Sequence, residues 1–190
     1  PALEIAGHRG LWSFIFLFIV IFFLGRLNEF WRIFKSYKKV LILSITAILI
    51  STNWIGFILA VSMNRVQDAS MGYFITPMIS IGLGYFFLKE KLSFLKKCSI
   101  FLMLVAIIFL IINSKNIPLL AILIGSSWGV YGLLKKKLSV SSEIGLLYES
   151  GFISLLGLPY LIFIYFQGSG YFMNYSSLTT IFLILTGGIT

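Results

Sequence analysis

Between Asp68 and Glu90 the chain reads DASMGYFITPMISIGLGYFFLKE. An acid opens the stretch, and Lys89, Glu90 and Lys91 close it. The roughly twenty uncharged residues between them match the length a helix needs to cross the hydrocarbon core of a bilayer. Gly72, Thr76, Ser80 and Gly84 recur at every fourth position, so they form one stripe on a single helix face. Small residues in such a stripe let a second helix approach closely in lipid, where packing drives association. Pro77 cannot donate to the carbonyl of Tyr73. The acceptor so released lies near the midplane, where it is tolerated only beside protein or a wet cavity. Two readings stand together: a kinked packing helix, or a helix lining a substrate path.

The rest of the chain agrees with a membrane setting. Of 190 residues 59% are hydrophobic and only 11% charged, and the mean hydropathy is +1.02. Long continuous apolar runs separated by short charged clusters describe an all-α polytopic membrane protein. A transmembrane barrel would need short alternating segments instead. The formal charge of +9 does not point to nucleic acid, because the basic residues sit between apolar runs, where topology accounts for them. A single cysteine, Cys98, excludes an internal disulfide, and a single histidine excludes a His-based metal cluster. No phosphate-binding loop, HExxH or nucleophile elbow is present, so neither a cofactor nor a metal is expected. The chain opens on Pro1 and closes inside the apolar run SLTTIFLILTGGIT, which leads us to expect an interior piece of a longer protein.

Six apolar spans and the start of a seventh are expected. They run from Ala2 to Leu24, Val40 to Val61, 68 to 88, Cys98 to Ile112, Leu119 to Leu134 and Glu143 to Phe166, with the seventh beginning near Leu178. Basic loops follow the first span (GRLNEFWRIFKSYKK), the third (KEKLSFLKK) and the fifth (Lys135, Lys136, Lys137). These three loops hold twelve of the fifteen Lys and Arg residues, leaving Arg9, Arg65 and Lys115 for the other side. The positive-inside rule therefore puts Lys38, Lys96 and Lys136 in the cytoplasm and Lys115 outside.

Ionisable groups inside apolar spans are costly, which makes them functional candidates. Glu149, two turns into the sixth span beside Tyr148 and Ser150, reads either as a proton carrier or as a packing acid bonded to a neighbour. Asn53 and Trp54 offer a polar group against an aromatic wall, or an interhelical hydrogen bond. Glu4 and His8, four apart, share a face of the first span. Gly125, Gly129 and Gly132, beside Trp128 and Tyr131, read as close helix contact. Asp68 opens the central helix, where a carboxylate favours the helix dipole, and it reads as a capping residue rather than as a chemical group.

The segments AGHRGLWSFIF, NWIGFILAVSMNRVQDASMGYFITPMISIGLGYFFLKEKLS, WGVYGLLKKK and GLLYES resemble the RarD-type permeases of the EamA branch of the drug/metabolite transporter superfamily. The resemblance runs in order along nearly the whole chain, and the block DASMGYFITP…LGYFFLKE carries most of its specificity. It departs at Thr76, where the family usually has Asn, and at Lys135, where it often has Arg. The resemblance implies a bacterial inner-membrane, multi-pass protein of ten helices in two inverted five-helix repeats, with substrate near the midplane between them. On that pattern residues 1–112 are most of the first repeat (helices two to five). Residues 113–190 then begin the second (helices six, seven and part of eight). The function implied is gradient-driven transport of a small organic metabolite or drug-like solute. Asn53, Trp54, Tyr73, Thr76, Pro77 and Tyr131 are its expected substrate contacts and Glu149 its proton-coupling group. Gly72, Ser80, Gly84, Gly125 and Gly129 serve helix packing. The expected partners are the bilayer, a small-molecule substrate and, as a candidate assembly, a homodimer. A non-transporting assembly partner is the main rival; an intramembrane enzyme would need converging catalytic groups that the sequence does not offer.

Overall fold

The computed structural model describes residues 2–114, 118–172 and 176–188, and the regular structure among them is helical. Eight helices follow in order: α1 Ala2–Phe23, α2 Leu27–Ile33, α3 Tyr37–Ser62, α4 Val66–Leu88, α5 Phe94–Ser114, α6 Leu119–Lys136, α7 Ser142–Phe166 and α8 Ser177–Gly188. The seven apolar segments of the sequence fall in these helices, α2 apart. Four of them, α1, α3, α4 and α7, are long and apolar enough to cross a membrane by length and composition. Two expectations need correction. The basic loop after the first span contains α2, whose Ile33 is buried. Asp68 does not cap its helix; the N-cap residue is Arg65, without a side-chain cap bond, and Asp68 pairs with the Arg65 guanidinium at 2.6 Å. Lys115 lies outside the described residues.

The chain forms two compact units, Pro1–Ser51 with Leu138–Thr190, and Thr52–Lys137. In the first, α1 and α7 pack antiparallel along a seam of glycines. A Cβ on Gly7 would meet Leu161 at 3.2 Å, one on Gly10 would meet Ile153 at 2.6 Å, and one on Gly157 would lie 3.4 Å from the Gly7 Cα. A side chain at Gly10 would force its neighbour to shift and one at Gly7 would be tight, which is how small residues bring two backbones together. α8 joins α1 through Ser13, whose hydroxyl donates to the Gly187 carbonyl at 3.2 Å. α1 ends in a left-handed residue, Gly25 at φ +66°, with Arg26 N–H bonded to Ile21 O and Gly25 N–H to Phe22 O. That 6→1 and 5→2 pair is a Schellman ending, which favours glycine at the turn. α2 is then held by Arg26, which pairs with Glu29 at 2.8 Å and donates to the Ser141 hydroxyl at 3.0 Å. Below them Ile21, Ile33, Leu43, Ile144 and Leu147 make a buried cluster.

In the second unit α4 and α6 run parallel. Gly72 faces Ile124, Gly125 faces Ile75, Gly129 faces Ile79, and past the helix end Lys136 pairs with Glu90. The register rises together on both helices, which defines the parallel direction. The later part of α3 packs beside them, with Ala60, Ala69 and Ile124 buried in one cluster. Outward faces of α4 and α5 expose Phe86, Phe87, Phe101 and Phe109, as befits surfaces whose solvent is hydrocarbon.

Candidate functional site

In the first unit, Glu4, His8 and Trp12 stand four residues apart on α1 and share one face. Glu4 is 1% exposed and His8 5% exposed, although both belong to an apolar helix. Glu4 Oε1 accepts the backbone N–H groups of Tyr171 at 2.7 Å and Phe172 at 3.1 Å, tying the segment after α7 to the start of α1. The Phe172 ring stacks on His8 at 4.5 Å and tilts toward Trp12 at 6.4 Å. Glu4 Oε2, His8 Nδ1 and Trp12 Nε1 are buried and have no hydrogen-bond partner among the described residues. Glu4 and His8 line a groove of about 510 Å³, otherwise walled by apolar groups such as Leu11, Leu158, Leu161 and Phe166. The i, i+4 relation of Glu4 and His8 is visible in the sequence; their burial against Phe172 is not.

Glu149 is in the same unit, on α7, and fully buried. Its Oε1 lies 2.7 Å from the Thr46 hydroxyl on α3, and that hydroxyl is also 3.0 Å from the Leu43 carbonyl. A hydroxyl has one proton to give and lone pairs to receive. Thr46 can therefore donate to an ionised Glu149, or donate to Leu43 O while accepting from a protonated Glu149. Thr46 can thus stay hydrogen-bonded to the acid in either arrangement without moving the backbone. Tyr148 next to it shares a hydrogen bond with Ser44 at 3.0 Å.

The remaining expected contacts fall in the second unit. Asn53 and Trp54 are buried on α3, and the Asn53 amide donates to the Ile124 carbonyl of α6 at 2.9 Å. This bond reaches the layer where Gly72 and Gly125 meet α6 and α4. Thr76 donates to the Gly72 carbonyl of its own helix at 2.9 Å. Tyr73 is exposed and sets its ring edge-on to Phe57 at 5.9 Å, and Pro77 is exposed on the same helix. Tyr131 is half-buried, stacks on Trp128 at 4.9 Å and carries the Lys135 ammonium 5.7 Å above its ring. Tyr73 and Tyr131 thus keep surface for a ligand, whereas the donors of Asn53 and Thr76 are engaged inside the helix packing. Ser80 is exposed, and the space beside Gly84 is taken by the Glu90 carboxylate at 3.2 Å rather than by another helix. No group of three or more His, Cys, Asp or Glu able to hold a metal occurs among the described residues.

Comparison with known proteins gives a consistent result. The profile of the EamA-like transporter family matches residues 1–112. The uncharacterized transporter YojE of Bacillus subtilis is 42% identical over 166 residues, 86% of this chain and 56% of that protein. An uncharacterized transporter of Vibrio cholerae is 34% identical over 163 residues, 86% of this chain and 54% of that protein. Protein RarD of Salmonella typhi is 30% identical over 189 residues, 100% of this chain and 64% of that protein. The chain thus spans between about half and two thirds of the length of these curated relatives. No solved structure matches it.

Proposed function

The chain belongs to the EamA-like transporter family, in its RarD-type branch, and on that premise we propose that it handles substrate and coupling proton in a secondary transporter. The cargo is a small organic solute, the route crosses the bacterial inner membrane, and the energy is an ion gradient, since no nucleotide-binding motif occurs in the sequence. The chain acts as a carrier and not as an enzyme. Residues 1–112 make up most of one five-helix repeat and 113–190 the start of a second, with six crossings and the beginning of a seventh. The bilayer and the solute are its partners, and a homodimer is the assembly we propose to look for first.

The observation that supports this reading is the Glu149–Thr46 pair. An acid wholly buried on a spanning-length helix is a functional group by default. Its neighbour Thr46 can donate to it or accept from it, so the pair stays hydrogen-bonded whichever side holds the proton. The experiment is uptake of labelled amines, amides and carboxylates by proteoliposomes holding the protein, with and without an imposed pH gradient. Glu149→Gln, which keeps the shape but cannot ionise, should lose gradient-driven accumulation and retain downhill exchange. Accumulation unchanged in the Gln variant would remove Glu149 from the coupling step. No gradient-dependent uptake of any solute by a full-length permease carrying this sequence would remove the transporter reading itself.

A further inference from the structure

Among the described residues, three buried polar atoms in a row on one helix face lack partners: Glu4 Oε2, His8 Nδ1 and Trp12 Nε1. Buried polar groups are almost always satisfied, and each exception asks for an explanation. For a carboxylate the demand is strongest, because an ionised group in apolar surroundings carries a large desolvation cost. The described partners of Glu4 are two backbone amides, both on the same oxygen, so that Oε2 has no donor among the described residues. The groove beside it is otherwise apolar.

We propose that this face binds the protonated amine of an amphiphilic organic cation, whose apolar body lies in the groove. The claim rests on the permease reading for its purpose, since the amine would be cargo, but binding itself does not require transport. An ammonium supplies both things Glu4 Oε2 lacks, a donor and a positive charge, and such charge-assisted bonds are the strong ones. His8 Nδ1 can accept a second ammonium proton. The Phe172 ring, which also lines the groove, stacks on His8 and tilts toward Trp12, and aromatic faces attract cations. A neutral alcohol would leave the charge of Glu4 unmet, and a carboxylate would be repelled by it. The Trp12 N–H is a donor only, so it suits an acceptor next to the amine, such as a hydroxyl or carbonyl.

Size agrees with this ligand class. The groove of about 510 Å³ falls in the range of small-molecule sites. Leu11 and Leu158, which line it, also line a second apolar groove of about 560 Å³ walled by Phe14, Phe30, Trp31 and Tyr148. A head group at Glu4 therefore has continuous apolar surface for a tail or ring system.

The test measures binding of tritiated phenethylamine to the full chain in nanodiscs, with phenethyl alcohol and hydrocinnamate as neutral and anionic isosteres. The parent protein should prefer the amine over the alcohol by roughly ten- to hundredfold, the scale of one hydrogen bond to a charged group. Hydrocinnamate should not compete. Glu4→Gln is the informative variant, because its amide oxygen can still accept from Tyr171 and Phe172 while the charge is gone. It should lose that preference and leave alcohol binding unchanged. Glu29→Gln, on the exposed connector, should behave as the parent. Trp12→Phe should weaken a hydroxylated phenethylamine more than the unsubstituted one. Equal affinity of the parent for amine and alcohol would overturn the proposal even if Glu4→Gln failed to fold. So would an amine affinity unaltered by Glu4→Gln, including the case in which transport of other solutes persists and the permease reading stands. Charge-selective binding that Glu4→Gln abolishes, without uptake of phenethylamine into proteoliposomes, would uphold the site and count against this amine as cargo.

Discussion

A carboxyl group inside an apolar helix survives only where neighbouring side chains meet its hydrogen bonds, and the Thr46 hydroxyl does this for Glu149 at 2.7 Å. Thr46→Val keeps the volume and removes the donor. It should lower the stability of the detergent-solubilised protein by about 1–3 kcal/mol, the cost of leaving a buried polar group unmet, read from the midpoint of thermal or denaturant unfolding. Glu149→Leu in the Thr46→Val background should restore part of that loss, because the buried carboxyl is then removed together with its hydroxyl donor. A second carboxylate, Glu90, lies outside the spans and is bonded to Lys136, which holds its carboxyl below the usual range. A group whose folded pKa is depressed adds stability that is present above its unfolded pKa. That stability is lost as the pH falls through the folded value. Acidification through the carboxylate range should therefore lower the melting temperature less in Glu90→Gln than in the parent. Since the pair is exposed, raising the salt concentration should shrink the difference.

At the scale of helices, contacts rather than composition sort the glycines. A Cβ on Gly125 would lie 2.7 Å from Ile75 and 3.0 Å from the Gly72 carbonyl, and backbone cannot step aside. Gly84, in the same stripe as Gly72, has only the Glu90 carboxylate nearby at 3.2 Å, the far end of a flexible side chain. Gly125→Ala should therefore cost about 1–3 kcal/mol, as overpacking does, whereas Gly84→Ala should change stability little. Gly72→Leu should reduce the folded yield more than Phe86→Leu or Phe87→Leu, since both phenylalanines are exposed. Size-exclusion profiles and thermal unfolding of the variants read these effects. The seam between α1 and α7 is not marked in the sequence, for a physical reason. Gly7 and Gly10 are three apart and Gly151 and Gly157 six apart, so neither helix shows the repeated four-residue spacing that marks a stripe.

Over the whole molecule, the compact units do not follow sequence order. The first joins the beginning of the chain to its last 53 residues, and the second is the stretch between. Each unit has helix directions that the distribution of basic residues also requires. Parallel α4 and α6 end together at Glu90 and Lys136, and antiparallel α1 and α7 send Phe23 and Phe166 to opposite ends. Orientation in the membrane can be tested with single cysteines in a Cys98→Ser background. Lys38→Cys and Lys136→Cys should resist an impermeant maleimide in intact cells and react after permeabilisation, whereas Lys115→Cys should react at once. Labelling of Lys38→Cys and Lys136→Cys in intact cells, with Lys115→Cys resisting, would invert the assignment of the loops.

Residue order by itself determined the helical class and the apolar segments, and it carries the expectation for the side of the basic loops. Hydropathy, length and loop charge are local sums, and the bilayer reads them segment by segment. It also marked Glu149, Asn53 and Gly125 as unusual, because a polar or small residue in an apolar run stands out wherever it packs. Only the tertiary structure decided what these residues meet. The donor to Glu149 lies 103 residues away, the carbonyl that receives Asn53 lies 71 away, and the amides on Glu4 lie 167 and 168 away. No periodicity along one helix encodes such a partner. Satisfaction of a buried polar atom depends on which other helix arrives, at what register and in which direction. For the same reason the unmet face of Glu4, His8 and Trp12 became visible only when Phe172 was placed against it.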